Sequence, residues 1–169
     1  MYTSAIVQDE AHCMQIMRGM EDAFQSRDEK FFIRVIGEEP SLVLRVHAVC
    51  ILAEIGGGEA IPALSDVLLH DPDPLVRHEA AFSLGQIGLS RANRALEKSV
   101  MTDMDAIVRH EAAAALGSIG NASAERILKL ALKDEAAIVR NSAKTSLFNL
   151  EFLRKYSVGS RARERAPRP

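Results

Sequence analysis

The chain has 169 residues, of which 47% are apolar and 26% charged, with a net charge of −2. That size suits one compact domain or a short solenoid, and the composition is that of a folded globular protein, which excludes wholesale disorder. The charge is uneven, because residues 157–169 hold Arg161, Arg163, Arg165 and Arg168 against Glu164; the rest is mildly acidic and lacks the basic stripe that a general nucleic-acid binder needs.

The first twenty residues include Asp9, Glu10 and His12 and lack a basic start followed by an apolar run, so no secretory signal is expected. Nor does any stretch approach the ~18 uninterrupted apolar residues of a membrane span. A cytoplasmic protein with no membrane partner is the expectation. Residues 5–26 predict one capping helix on which Ile6, Cys13, Met17, Met20 and Phe24 share an apolar side, and segment 1–27 is set apart on that ground. Cys13 and Cys50 have neither metal-type nor redox-type spacing. They suit a reducing compartment and are expected to be buried or incidental, Cys50 because it lies in an apolar helical run.

From residue 28 the chain repeats itself every 31 to 32 residues. Arg45, Arg77, Arg109 and Arg140 form one column, Leu52, Leu84, Leu116 and Leu147 a second, and Gly56, Gly88 and Gly120 a third. Self-similarity at this length marks stacked units, each unable to bury its apolar face alone. The units fall at 28–58, 59–90, 91–121 and 122–153, within a repeat domain of 28–156. Each reads as two helices, the first short, over 60–70 or 92–102. The second opens with Asp73 or Asp105 as N-cap, with Pro74 suited to the first helical position, and closes at Gly88 or Gly120. Ser41 holds the cap position in the first unit. The arginine four residues after each cap is placed to pair with that cap's aspartate or with one in a neighbouring unit, which is a scaffold role. The predicted fold is therefore all-α, a helical-hairpin solenoid or α-α superhelix of four repeats behind a capping helix. The Arg-rich and Pro-containing stretch 157–169 predicts a disordered basic tail.

Two of the units carry an addition to this frame. His78-Glu79 and His110-Glu111 recur 32 residues apart, while the same columns hold Val46-His47 and Asn141-Ser142 in the outer units. On the helical wheel Val76, Ala80, Leu84 and Ile87 form the packing stripe, and His78 and Glu79 lie on the other side with Leu75, Phe82 and Gln86. Stacked helices sit roughly 10 Å apart, so His78 and His110 are expected to reach one metal ion from the concave surface. Imidazole and carboxylate around open positions are the ligand chemistry of non-haem iron. His47 is a further candidate for that surface, and His12 and His70 read as surface or capping residues.

The frames Val76-Arg77-His78-Glu79-Ala80-Ala81 and Val108-Arg109-His110-Glu111-Ala112-Ala113, each running on to Gly88 or Gly120, resemble the HEAT-like repeats of the deoxyhypusine hydroxylase family. The resemblance covers 28–153, including the closing Asn149-Leu150-Glu151-Phe152-Leu153. Arginine, alanine, leucine and glycine columns are common to HEAT-like repeats, so only the His-Glu pairs at this spacing are specific. The resemblance implies two half-solenoids of four hairpins, with His-Glu pairs on the second and third hairpins of each half and a di-iron centre between the halves. This chain matches one half. A homodimer then supplies the other, since two-fold symmetry sets the same patch opposite itself. Carried over, His78 and His110 bind one Fe(II), Glu79 reaches the iron of the second subunit, and Glu111 is the catalytic carboxylate beside the substrate, with two ions per homodimer. The implied activity is that of a dioxygen-dependent di-iron monooxygenase acting on an amine-bearing protein or small-molecule substrate. Two other classes share the repeat columns: a metal-free HEAT-like interaction scaffold, and a phycobilin lyase or chaperone-like HEAT protein.

Overall fold

The computed structural model describes the backbone over residues 2–164 and the side chains over 10–156. In chain order the helices are α1 (Tyr2–Ser26), α2 (Glu29–Glu38), α3 (Leu42–Gly56), α4 (Ile61–His70), α5 (Pro74–Ile87), α6 (Asn93–Thr102), α7 (Ala106–Ile119), α8 (Glu125–Ala131) and α9 (Ala137–Glu164). Among the described residues there is no strand. Helices α2/α3, α4/α5, α6/α7 and α8/α9 pack as hairpins, and the second helices stack in the order α3, α5, α7, α9. This is the predicted all-α solenoid of four helical hairpins behind a capping helix.

Local chemistry explains the boundaries. Asp73 accepts the Leu75 N–H at 2.8 Å and Asp105 the Ile107 N–H at 2.9 Å, each closing an orphan donor at a helix start. Gly88 and Gly120 end α5 and α7 in the left-handed region, at φ 72° and 71°, where a side chain would be strained. Ser41 precedes α3 as expected but makes no side-chain cap; the Glu39 carboxylate holds the Ser41 N–H instead, at 3.1 Å. Residues 42–70 are long and apolar as a block, yet Gly57, at φ 50°, breaks them into α3 and α4. Those helices have 15 and 10 residues, each short of the ~20 that a span requires.

The core runs the length of the array. Leu52, Leu84 and Leu116 are fully buried, each contributing on the order of 2 kcal/mol of apolar burial. Leu147, last in that column, is only partly buried, because among the described residues no further unit covers it. Glycines bring the second helices close: a Cβ on Gly117 would sit 2.4 Å from Ser146 Oγ and 2.8 Å from its Cα.

The arginine column bolts each hairpin to the next. Arg77 grips Asp103 with two bonds of 2.8 and 2.9 Å, Arg109 grips Asp134 at 2.8 and 3.0 Å, and Arg45 reaches Asp71 at 3.2 Å. The partner is thus the aspartate that follows the first helix of the next unit, and not the cap aspartate four residues upstream. The third nitrogen of Arg77 and of Arg109 binds carbonyls of the turn before its own helix, which aims the guanidinium away from that cap.

Two sequence expectations need correction. On α1 the structure buries Met20 and Ala23 with Cys13 and Ile16 packed beside them, and leaves Met17 and Phe24 exposed; Ile6 lies outside the described side chains. The apolar side of α1 is wider than the strip its neighbours cover, since among the described residues it packs chiefly against α2 and α3. Of the predicted tail, 157–164 continue α9 as helical backbone, and 165–169 lie outside the described residues.

Candidate metal centre

His78 and Glu79 sit in the first turns of α5, and His110 and Glu111 in those of α7. All four are half-buried, while the packing stripe beneath them, Val76, Ala80 and Leu84, is fully buried. The pairs therefore lie on the face that the wheel assigned them, beside exposed Leu75 and Phe82.

The contacts are staggered by one position. His78 Nε2 lies 3.4 Å from Glu111 Oε2 on the next helix, and His110 Nδ1 meets Ser142 Oγ on the helix after that. At the other end the Cys50 thiol donates to Glu79 Oε1 at 3.2 Å. The first residue after Arg77 and Arg109 thus meets the second residue after the arginine one unit on. Ser142 belongs to this row, and matching each column against the following column one period later reveals it; Cys50 stands outside the rule, five residues after Arg45, because the histidine's own column there holds Val46. Cys50 is exposed on this face, contrary to the expectation that it is buried, because α3 is apolar on both sides.

The electrostatics follow from the geometry. The carboxylate of Glu111 holds the His78 imidazole above its ordinary pKa, against the opposing effect of burial, with Glu79 adding a smaller pull. Partial burial and then Glu79 push the Cys50 thiol up to about 11, so it stays protonated and is neither nucleophile nor soft ligand at neutral pH. His47 is exposed on α3. His12 pairs with Glu39 at 2.9 Å and His70 with Asp66 at 2.8 Å, away from this face.

Donor chemistry fits a transition metal, with two imidazoles and two carboxylates on one face. A nitrogen and an oxygen each about 2.1 Å from one ion lie roughly 3.0 to 3.4 Å apart at angles between a right angle and a tetrahedral one. The 3.4 Å between His78 and Glu111 is long for an N–H···O bond and has the length of such an edge, so the spacing leaves room for an ion beside His78 without assigning Glu111 to it. His78 Nδ1 is buried without a hydrogen-bond partner, which leaves Nε2 as the atom that can reach an ion. Among the described residues no three His, Cys, Asp or Glu side chains converge as a ligand set. Two open grooves flank the pairs. One of about 420 Å³ is lined by Cys50, Glu54, Glu79, Phe82 and Gln86, and one of about 450 Å³ by His110, Asn141, Ser142, Thr145 and Phe148. The first carries carboxylates; the second is neutral.

Comparison with known proteins agrees with this architecture. A family model described as HEAT repeats matches residues 29–109 and again 61–147. A solved structure of human deoxyhypusine hydroxylase, in complex with glycerol, superposes with a TM-score of 0.71 at 29% identity, over 82% of this chain and 48% of that one. The chain thus spans about half the length of that enzyme. No curated protein matches. With stacked hairpins, a shared leucine core and an arginine-aspartate bolt between successive units, the chain belongs to the HEAT-repeat family.

Proposed function

We propose that this chain is a non-haem iron, dioxygen-dependent hydroxylase of the deoxyhypusine hydroxylase type, whose centre is completed by a second copy. The supporting observation is the approach of His78 to Glu111, which joins both His-Glu pairs into one patch, together with the likeness to that enzyme over about half its length. In this reading His78 and His110 hold one Fe(II) through their ring nitrogens, and Glu79 reaches across the two-fold axis to the iron of the other subunit. Glu111 stays on its own side and faces the substrate. Iron held there supplies dioxygen activation; the protein supplies position and charge. The groove at Glu54 offers a carboxylate and an apolar floor to an amine-bearing side chain or small molecule.

Anaerobic reconstitution with ferrous iron, followed by metal analysis and mass measurement in solution, tests this reading. The expected result is a dimer with two irons, lost in His78→Ala and His110→Ala while helicity by circular dichroism is kept, because neither side chain lies on the packing stripe. Glu79→Ala should weaken iron retention more than Glu111→Ala. A wild-type protein that takes up no iron after reconstitution overturns the proposal.

One observation favours a metal-free interaction scaffold instead. His110 already has Ser142 as partner, and Glu79 has Cys50, so two of the four side chains have a protein partner without an ion. That reading predicts no iron under any condition and an unchanged melting temperature when ferrous iron is added.

A further inference from the structure

In α5 and α7 the positions four and eight residues after the arginine face the following unit. Ala81 and Ala113 are fully buried there, a Cβ on Gly85 would meet Ala115, and one on Gly117 would meet Ser146. In α9 the same two positions hold Lys144, exposed, and Phe148, 70% exposed. Phe152 and Tyr156 extend the aromatic row, with ring centroids 6.5 Å and then 4.4 Å apart. Arg140 repeats only half of the arginine bolt: its guanidinium binds the Asp134 and Glu135 carbonyls of its own turn, and among the described residues no following unit brings an aspartate to its other edge. On the wheel Arg140, Lys144, Lys155 and Phe148 share one arc against the single carboxylate of Glu151. This end of the array is cationic and aromatic.

The opposite end is its complement. On α1, Met14, Met17 and Phe24 are exposed, with Glu10 and Glu21 on the same arc between them and the exposed Arg18 at its edge. Acidic charge with flexible thioethers faces outward at one end, and basic charge with rigid rings at the other, a pairing that gains from sulfur–aromatic contact as well as from charge.

We infer that α9 of one copy receives α1 of another, so that molecules associate head to tail through the two ends of the solenoid. Carboxylates at Glu10 and Glu21 meet the Arg140, Lys144 and Lys155 side, and Met14 and Met17 cover Phe148 and Phe152. The interface is heterologous, so it leaves a free end after each addition and continues to add copies unless a ring closes. A two-fold dimer through the His-Glu face stops at two copies, which separates this inference from the function proposed above; neither needs the other.

Sedimentation velocity of the intact chain, over a wide range of protein concentration at low and at high salt, reads the difference. The expected result is mass that rises past a dimer with concentration at low salt and falls back at 1 M salt, where charges are screened beyond about 3 Å. Glu21→Lys and Lys144→Glu, both at exposed positions, should each stop the growth with helicity unchanged. Mixing the two should restore it, because each variant keeps one native face and the altered faces complement each other. A wild type whose mass never passes a dimer, variants that grow like the wild type, or a mixture that fails to grow would each overturn the inference.

Discussion

His78 has one nitrogen buried without a partner and the other 3.4 Å from a carboxylate, so its protonation reports on the whole patch. Because Glu111 favours the imidazolium, the folded-state pKa lies above the unfolded value near 6.5. The stability gained from this pair is present in full below about pH 6.5 and is lost as pH rises through the raised folded value. Glu111→Gln should move the His78 titration, followed by ring-proton NMR, down toward the ordinary range; an unmoved titration would show that the carboxylate does not act on it. That the two His-Glu pairs share one face was legible in the sequence, because a repeated pair confined to the middle units stands out against the repeat frame and falls opposite the packing stripe. Their partners were not. Ser142 differs in type from the glutamates whose column it continues, and Cys50 reaches Glu79 from one turn beyond the histidine column, so no column of the repeat announces it.

At the scale of the element, close approach decides against intrinsic helix preference. Replacing a helical glycine by alanine ordinarily stabilises by up to about 1 kcal/mol. At Gly117 the added carbon would meet the Ser146 backbone at 2.8 Å, and forcing α7 and α9 apart costs typically 1–3 kcal/mol. Gly117→Ala should therefore lower the urea midpoint, whereas Gly37→Ala, with nothing within 4 Å of its Cβ, should leave it unchanged or raise it. Opposite signs from one chemical change would locate the tight seam; two stabilising results would contradict it. The helix starts and stops at Asp73, Asp105, Gly88 and Gly120 were readable because capping is local chemistry, confined to a few neighbouring residues. The orientation of α1 was less so. Its apolar arc is broader than the strip that α2 and α3 cover, and a wheel gives the breadth of an arc but not which part of it meets a neighbour.

For the molecule as a whole, period and columns were sufficient to give a stack of hairpins, since each unit repeats the same burial problem and the same solution. What they leave open is direction. Arg45, Arg77 and Arg109 all reach forward to the next unit's aspartate, and His78 and His110 also lean on the helix that follows. The arginine–aspartate wiring between units runs one way. Losing α8 and α9 would take Asp134 from Arg109 and lay open the face of α7 on which Ala113 is fully buried, an apolar loss on the order of several kcal/mol over the whole seam. Losing α1 would strip no arginine of its aspartate. Nested deletions followed by thermal melting should show this polarity, with a far steeper loss per residue when trimming begins at α9 than when it begins at α1. Equal losses from the two ends would mean that apolar contact alone holds the units. The array is therefore like a zip with a preferred end, and wear at its trailing edge, whether by proteolysis or by fraying, should travel inward toward the histidines sooner than damage at its head.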